Sequence, residues 1–483
     1  MKSKRVFAGL CAISLALGLT ACADGEGGGA TTSETTSETT TFTTKVQDES
    51  MKQEVANLAQ EEEIQNLLTG ELENKTIKFF STWDVNPDGS GKDVPIDLQL
   101  FKERYGGNVE WISTTWDTRY SDMSTYVLGG EGVDFFPTND MDNFPKGAVN
   151  GMYVPYDEYV DFSSELWAPT KDINDQCQWM DNHYLIILGA TEGTVVIYNK
   201  DTIEENGLDD PAQLLEDGKW TWDTFKSMMA DFCDPDNGYY GLDGFWTEAS
   251  ILLTTGVPCV SLQDGQMTSN IGNPDLERVM NFQYELFTAG YNLPKVEFDW
   301  AEQPQRVGEG KTLFFPAGLW KIYSAKDQWS AIFGENIMFV PMPKDPEADK
   351  YYLPAGMNSF ALLKGGQNHE GVIKYMECRL VSATNEKTVE LGNLQLKNDY
   401  GWTDEMMEMK DKVNEMTNEA PVFDFYNGGD DDMKSILDSG ESGVRSALAQ
   451  GIEWSETRAA IEETINAMID AYNEQGRAAA DAE

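Results

Sequence analysis

The sequence predicts an α/β protein of two lobes, and three observations carry that prediction. After an N-terminal signal and tether, roughly 430 of the 483 residues remain, more than one hydrophobic core usually organises. Apolar strand-sized runs alternate with amphipathic helix-sized runs between Thr76 and Asp140, and a second alternating set begins at Gly193. Strand, helix, strand with short connections is the doubly wound pattern, whose ligands bind beyond the carboxyl ends of the strands.

The N-terminus sets the compartment. Lys2, Lys4 and Arg5 form a positive leader, and Val6 to Leu19 is almost wholly apolar or small. That run is too short to cross a bilayer of roughly 30 Å as a helix and reads as an export signal over 1–21. Leu19, Thr20 and Ala21 before Cys22 match a lipobox, which makes Cys22 the lipidated new N-terminus; an ordinary secretory signal with a chance cysteine is the alternative. Residues 22–47 are Gly, Thr, Ser and Glu with almost no apolar side chain, so they cannot bury enough surface to offset their chain entropy. A disordered tether is expected there. These segments predict an extracytoplasmic protein anchored by lipid, on a Gram-positive cell surface rather than in a periplasm.

Composition excludes several function classes. With 83 acidic against 35 basic residues, nucleic acid and anionic lipid are poor partners. His183 and His369 are the two histidines, which removes most His-based triads and metal sites. Cys177, Cys233, Cys259 and Cys378 lie outside the signal without any CxxC spacing, so disulfides are permitted but not demanded. No phosphate-binding G-x-x-x-x-G-K-[ST] occurs, and neither cofactor nor metal is expected.

Residues 48–75 read as a polar helical extension with a thin stripe of Val55, Leu58, Leu67 and Leu68, carrying no chemistry. "TIKFFSTWD" begins the first strand at Thr76. Asp93 and Pro95 open a helix with Leu98, Phe101 and Tyr105 on one face, and Gly106 ends it. "NVEWIST", "RYSDMSTYVL" and "VDFFPTND" continue as strand, helix and strand. "GTVVIYNKDTIEENGL" opens the second set, and Thr221 caps a helix buried through Phe225, Met228, Met229 and Phe232. "DPDNGYYGLDGFW" reads as a solvated turn, since Gly238 comes one position early for a calcium loop. Asn273, Pro274 and Gly290 punctuate the next helix. "GKTLFFPAGLWKI" supplies a strand and turn, "IMFVPMPKDP" an extended crossing, "MNSFALLKG" a strand, and the C-terminus an amphipathic helix.

Six segments in this order resemble the extracellular solute-binding proteins of family 1, relatives of maltodextrin-binding proteins that serve ABC importers. They are "FKERYGGNVEWIS", "VNGMYVPYDEYV", "GTVVIYNKDTIEENGL", "WTWDTFKSM", "VGEGKTLFFPAGLW" and "VPMPKDP". The resemblance runs from about Thr76 to the C-terminus and implies a two-lobed, periplasmic-binding-protein-like (type II) fold with several hinge crossings. Crossings are expected near Leu188 to Thr194 and Phe339 to Pro343. Lobe 1 would then hold 76–189 and 344–400, and lobe 2 195–338 and 401–483. The implied function is capture of a carbohydrate, an oligosaccharide, in the cleft by a monomer that docks on membrane permease subunits.

A sugar site needs flat rings for C–H faces and fixed carboxylates or amides for hydroxyls. The resemblance puts Trp320, after "FFPAG", at the family's sugar-stacking position, and Trp246 at a second aromatic position; a ring closing the lobe's own core is the alternative for each. It puts Asn139 and Asp140, after "VDFFP", where relatives bind hydroxyls. Strand ends add Trp83, Asp84 and Trp116, and Asn358 lies beside the second crossing; loop caps and turns are the competing roles. A peptide receptor or a surface glycoside hydrolase with a carboxylate pair remain as rival readings.

Overall fold

The computed structural model describes residues 49–86, 94–139, 141, 143–244, 246–429, 431–439 and 444–480. Cys22, the signal, the tether and Asp140 lie outside the described residues. Two sheets that share no strand organise the chain.

The first sheet contains β1 (Thr76–Ser81), β2 (Asn108–Ser113), β3 (Phe135–Pro137), β4 (Tyr153–Val154) and β5 (Ile186–Glu192). The second contains β6 (Val195–Asn199) and β7 (Tyr240–Leu242). A hairpin of β8 (Val260–Gln263) and β9 (Gln266–Ser269) follows, before β10 (Thr312–Ala317) and β11 (Ile337–Pro341) return to the second sheet. The chain then re-enters the first sheet through β12 (Leu353–Leu363) and β13 (Pro421–Val422).

In the first sheet the order is β13-β12-β3-β1-β2, with β4 and β5 also on β12. β1 runs parallel to β2 and β3, so it is buried on both faces: Ile77 and Phe79 enter one core, Phe80 the other. β12 closes the sheet antiparallel to β3, β4 and β5. Helices 96–105 and 369–384 cover one face. The N-terminal extension is part of that cover. Its helix 49–58 buries Met51, Val55 and Leu58 against helix 96–105, and Gln99 Nε2 donates to the Lys52 carbonyl at 2.6 Å.

In the second sheet the order is β11-β6-β10-β7. All residues of β6 and β10 are buried, which fits their unbroken apolar runs. Helix 222–232 starts on a capping box formed by Thr221 and Thr224, and buries the expected face. Helix 274–288 is capped by Asn273, whose side chain accepts from the Asp275 N–H.

The chain passes between sheets at Gly193–Thr194 and again over 342–352; helix 404–419, which precedes β13 of the first sheet, lies against β5 and β12 of that sheet and β11 of the second. Cys177, Cys233, Cys259 and Cys378 are free thiols.

Candidate ligand site at the crossing between lobes

The first crossing is built for close approach. At Gly193 a Cβ would lie 2.8 Å from the Pro354 carbonyl oxygen, so the two connecting strands pass nearly in backbone contact. Thr194 accepts a hydrogen bond from Ser250 Oγ at 2.8 Å, tying the crossing to helix 247–253 of the second lobe. On the other side, Gly356 of β12 leaves room for Thr191 and for the Asn139 carbonyl, which accepts from the Met357 N–H at 2.8 Å.

Two tryptophans reach this place from the second sheet. Trp320 lies in the turn after β10 and folds back over Gly318, where a Cβ would strike its pyrrole edge at 2.4 Å; the same point is 3.4 Å from the Gly193 carbonyl. Trp246 lies at the start of helix 247–253 and meets Trp320 edge-on, with centroids 5.9 Å apart and planes at 74°. Trp320 keeps 39% of its surface exposed. The Lys321 ammonium sits 4.7 Å from the Trp320 ring centre and pairs with Glu302.

A carboxylate stands at the first-sheet end of the crossing, next to Gly193 in sequence. Glu192 ends β5 and accepts from Tyr323 Oη at 3.4 Å, and Tyr323 in turn stacks on Tyr400 at 5.6 Å. Burial raises the Glu192 carboxyl above the ordinary range, and Lys410 partly opposes that shift.

The model of the bacterial extracellular solute-binding protein family matches residues 83–378, well over half of the chain. The chain belongs to that family. No curated protein matches it. Its fold is shared with a Listeria monocytogenes ABC substrate-binding protein in complex with cycloalternan, at 15% identity and a TM-score of 0.58, covering 82% of this chain and 100% of that one. It is shared with a Rhizobium etli sugar transporter in an open conformation, at 14% identity and 0.60, covering 81% and 99%. A Staphylococcus aureus extracellular solute-binding protein in complex with maltose follows at 13% and 0.55, covering 83% and 99%. This likeness establishes the two-lobed α/β fold. The family consists of solute-binding transport proteins rather than enzymes and is extracellular; among the described residues no helix is long and apolar enough to cross a membrane.

Trp83, Asp84, Trp116 and Asn358, also singled out in this solute-binding protein, each have a partner of their own in the first lobe. Trp83 is half-buried, edge-on to Phe79 at 5.7 Å. Asp84 is exposed and closes a turn by accepting from the Asn86 N–H at 2.9 Å. Trp116 lies under the Arg119 guanidinium, 3.9 Å from its ring centre. Asn358 sits mid-strand in β12 and accepts from Arg379 at 3.3 Å, beside the Arg379–Asp97 ion pair. The Asn139 side chain is exposed.

Two further residues carry a cue in the sequence that the reading above does not use. Glu192 stands between two apolar strands, where an acid is costly without a role. Trp300, 42% exposed with a left-handed backbone after left-handed Asp299, stands in the polar loop "FDWAEQP" and carried the same cue as Trp320, an aromatic where no core is due.

Proposed function

We propose that this chain is the solute receptor of an ABC importer, anchored outside the cell through lipid on Cys22, and that it captures an oligosaccharide between its lobes for delivery to a membrane permease. The Trp246–Trp320 pair at the crossing carries this reading. A sugar ring stacks its C–H face on a half-exposed indole, while its hydroxyls need acceptors held nearby. Trp320 supplies the face, Trp246 fixes its tilt, and Glu192 and Asn139 offer oxygen from the other side of the crossing. Asp140 belongs with Asn139 in this proposal, Trp83, Asp84 and Trp116 with an outer rim of lobe 1, and Asn358 with the Arg379 network. The sugars bound by structural neighbours support the ligand class.

The chemistry is binding without bond making. One ligand touched from both lobes favours their closed arrangement, so affinity and closure form a single equilibrium. Closure completes the surface offered to the permease, and an ATPase across the membrane supplies the transport energy.

Thermal-shift and calorimetric titration of the chain beginning after Cys22, with maltose, maltotetraose, mannotriose and control peptides, tests the reading. A selective response to a sugar is expected, with Trp320→Ala weakening it by about 2 kcal/mol, roughly 30-fold in Kd. Responses to peptides alone would replace the carbohydrate with another solute. Conversion of the sugar during titration would make the protein a hydrolase.

A further inference from the structure

We propose that Lys295 is a positioning residue for the aromatic wall, holding the Trp246 loop and the segment 295–303 as one unit; the proposal rests on the carbohydrate reading above. The Lys295 ammonium lies 2.6 and 2.8 Å from the two Glu248 carboxylate oxygens and 3.2 Å from the Gly244 carbonyl oxygen. An ammonium has three N–H donors, and these three acceptors match them one to one. Both side chains are nearly buried, 11% exposed for Lys295 and 6% for Glu248.

The same loop is held from two further directions. Asp243 accepts from the Gln303 N–H and the Gly244 N–H, each at 2.7 Å. Gly244 has φ +144°, and a Cβ there would lie 2.5 Å from the Pro316 carbonyl oxygen of β10, the strand that leads into Trp320. Thr247 Oγ1 donates to the Gly244 carbonyl at 3.0 Å, and Gln283 Nε2 to the Glu248 carbonyl at 3.0 Å. Trp246 therefore sits on a short segment tied to β10, to helix 274–288 and to residues 295–303, which carry Trp300. Lys295 contacts the start and the end of that segment together.

Stability alone does not explain this arrangement. Burying an ion pair costs both partners their hydration, and a well-packed apolar pair of similar volume commonly serves a fold as well. What an ion pair with three directed hydrogen bonds adds is a fixed distance and orientation. Here those bonds fix the base of the ring that meets Trp320 at 74°.

Two indoles this close couple their transitions, giving a bisignate far-ultraviolet circular dichroism signal that depends on their mutual angle. Trp246→Phe and Trp320→Phe identify that signal by its loss. Lys295→Met is expected to lose most of it and to weaken maltotetraose, maltose or mannotriose binding about tenfold while thermal unfolding stays cooperative; Lys295→Arg restores part of both. Should Lys295→Met not fold, the double variant Glu248→Gln/Lys295→Met removes both charges and takes its place. An unchanged dichroism signal in a folded variant overturns the proposal, and so does a lost signal with sugar affinity unchanged. Failure of the carbohydrate reading looks different: the unsubstituted protein binds none of the three sugars, or Trp320→Ala binds as it does, and the proposal then falls with that reading.

Discussion

Two tryptophans follow strands of the first sheet and two follow strands of the second, and they differ in what covers them. Trp83, after β1, is met by Phe79 four residues earlier. Trp116, after β2, is covered by Arg119 three residues later. Trp246 and Trp320, after β7 and β10, meet each other across 74 residues of sequence, and Trp320 stays half open. Rings with partners three or four residues away have those partners wherever the lobe stands. Trp246 and Trp320 meet only through the tertiary fold, which the polar frame around Gly244 helps to hold, although Trp320 also has the neighbouring Lys321 ammonium 4.7 Å from its ring centre. On this contrast we propose that lobe 1's rings serve mainly stability, at most as an outer rim of the ligand site, and that lobe 2's rings serve binding.

The largest effect that would break this contrast comes from Trp83→Ala. Its half-buried ring adds apolar cover and an edge contact to Phe79, so the variant is expected to lose about 2 kcal/mol of stability in denaturant titration. Sugar affinity should stay within about threefold, under 0.7 kcal/mol. An affinity loss at unchanged stability would move Trp83 into the binding wall. Arg119→Met is the smaller companion: uncovering Trp116 removes a cation–π contact of about 1 kcal/mol. If that variant binds sugar more tightly, Arg119 is shielding a ring that the cleft can use.

How far the sequence could lead follows the same distinction between near and far partners. β1, β6 and β10 stand out as apolar runs, β2 as a short strand alternating polar and apolar residues from Asn108 to Trp111, and helices 222–232 and 274–288 carry their own caps. Trp320 follows such a run and Trp246 stands out only through the family resemblance of "GFWTEA", and nothing in the sequence marks the two as a contacting pair. β7 was read as turn because it is three residues long with Gly241 at its centre. The β8–β9 hairpin was passed over although Asp264-Gly265, both left-handed, is a strong two-residue turn signal between its strands. The extension 48–75 showed only a thin apolar stripe, and its fit against helix 96–105 depends on a surface no local pattern reveals. Lys295 and Glu248 stand 47 residues apart, and nothing in either neighbourhood marks them as partners.

Acid titration gives the smallest and most selective test, because the carboxylates supporting the two walls shift in opposite directions. Beside Trp116, Asp122 accepts from Thr114 Oγ1 and Thr118 Oγ1, each at 2.7 Å, and these bonds hold its carboxyl below the usual range. Beneath Trp246, burial raises the Asp243 carboxyl, with the Gln303 and Gly244 N–H groups opposing. A depressed carboxyl contributes stability above its unfolded value of about 3.9 and loses it as pH falls through the folded value. A raised one contributes fully below about 3.9 and loses that contribution as pH rises through the folded value. Acidification from neutrality should therefore strengthen the lobe 2 loop first and weaken the lobe 1 loop only below about pH 4. Asp243→Asn is expected to flatten the calorimetric stability profile above about pH 4, and Asp122→Asn below it. If Asp243→Asn instead alters only the acid limb, the two walls share one electrostatic logic, and the division between a stabilising lobe 1 and a binding lobe 2 then rests on the rings alone.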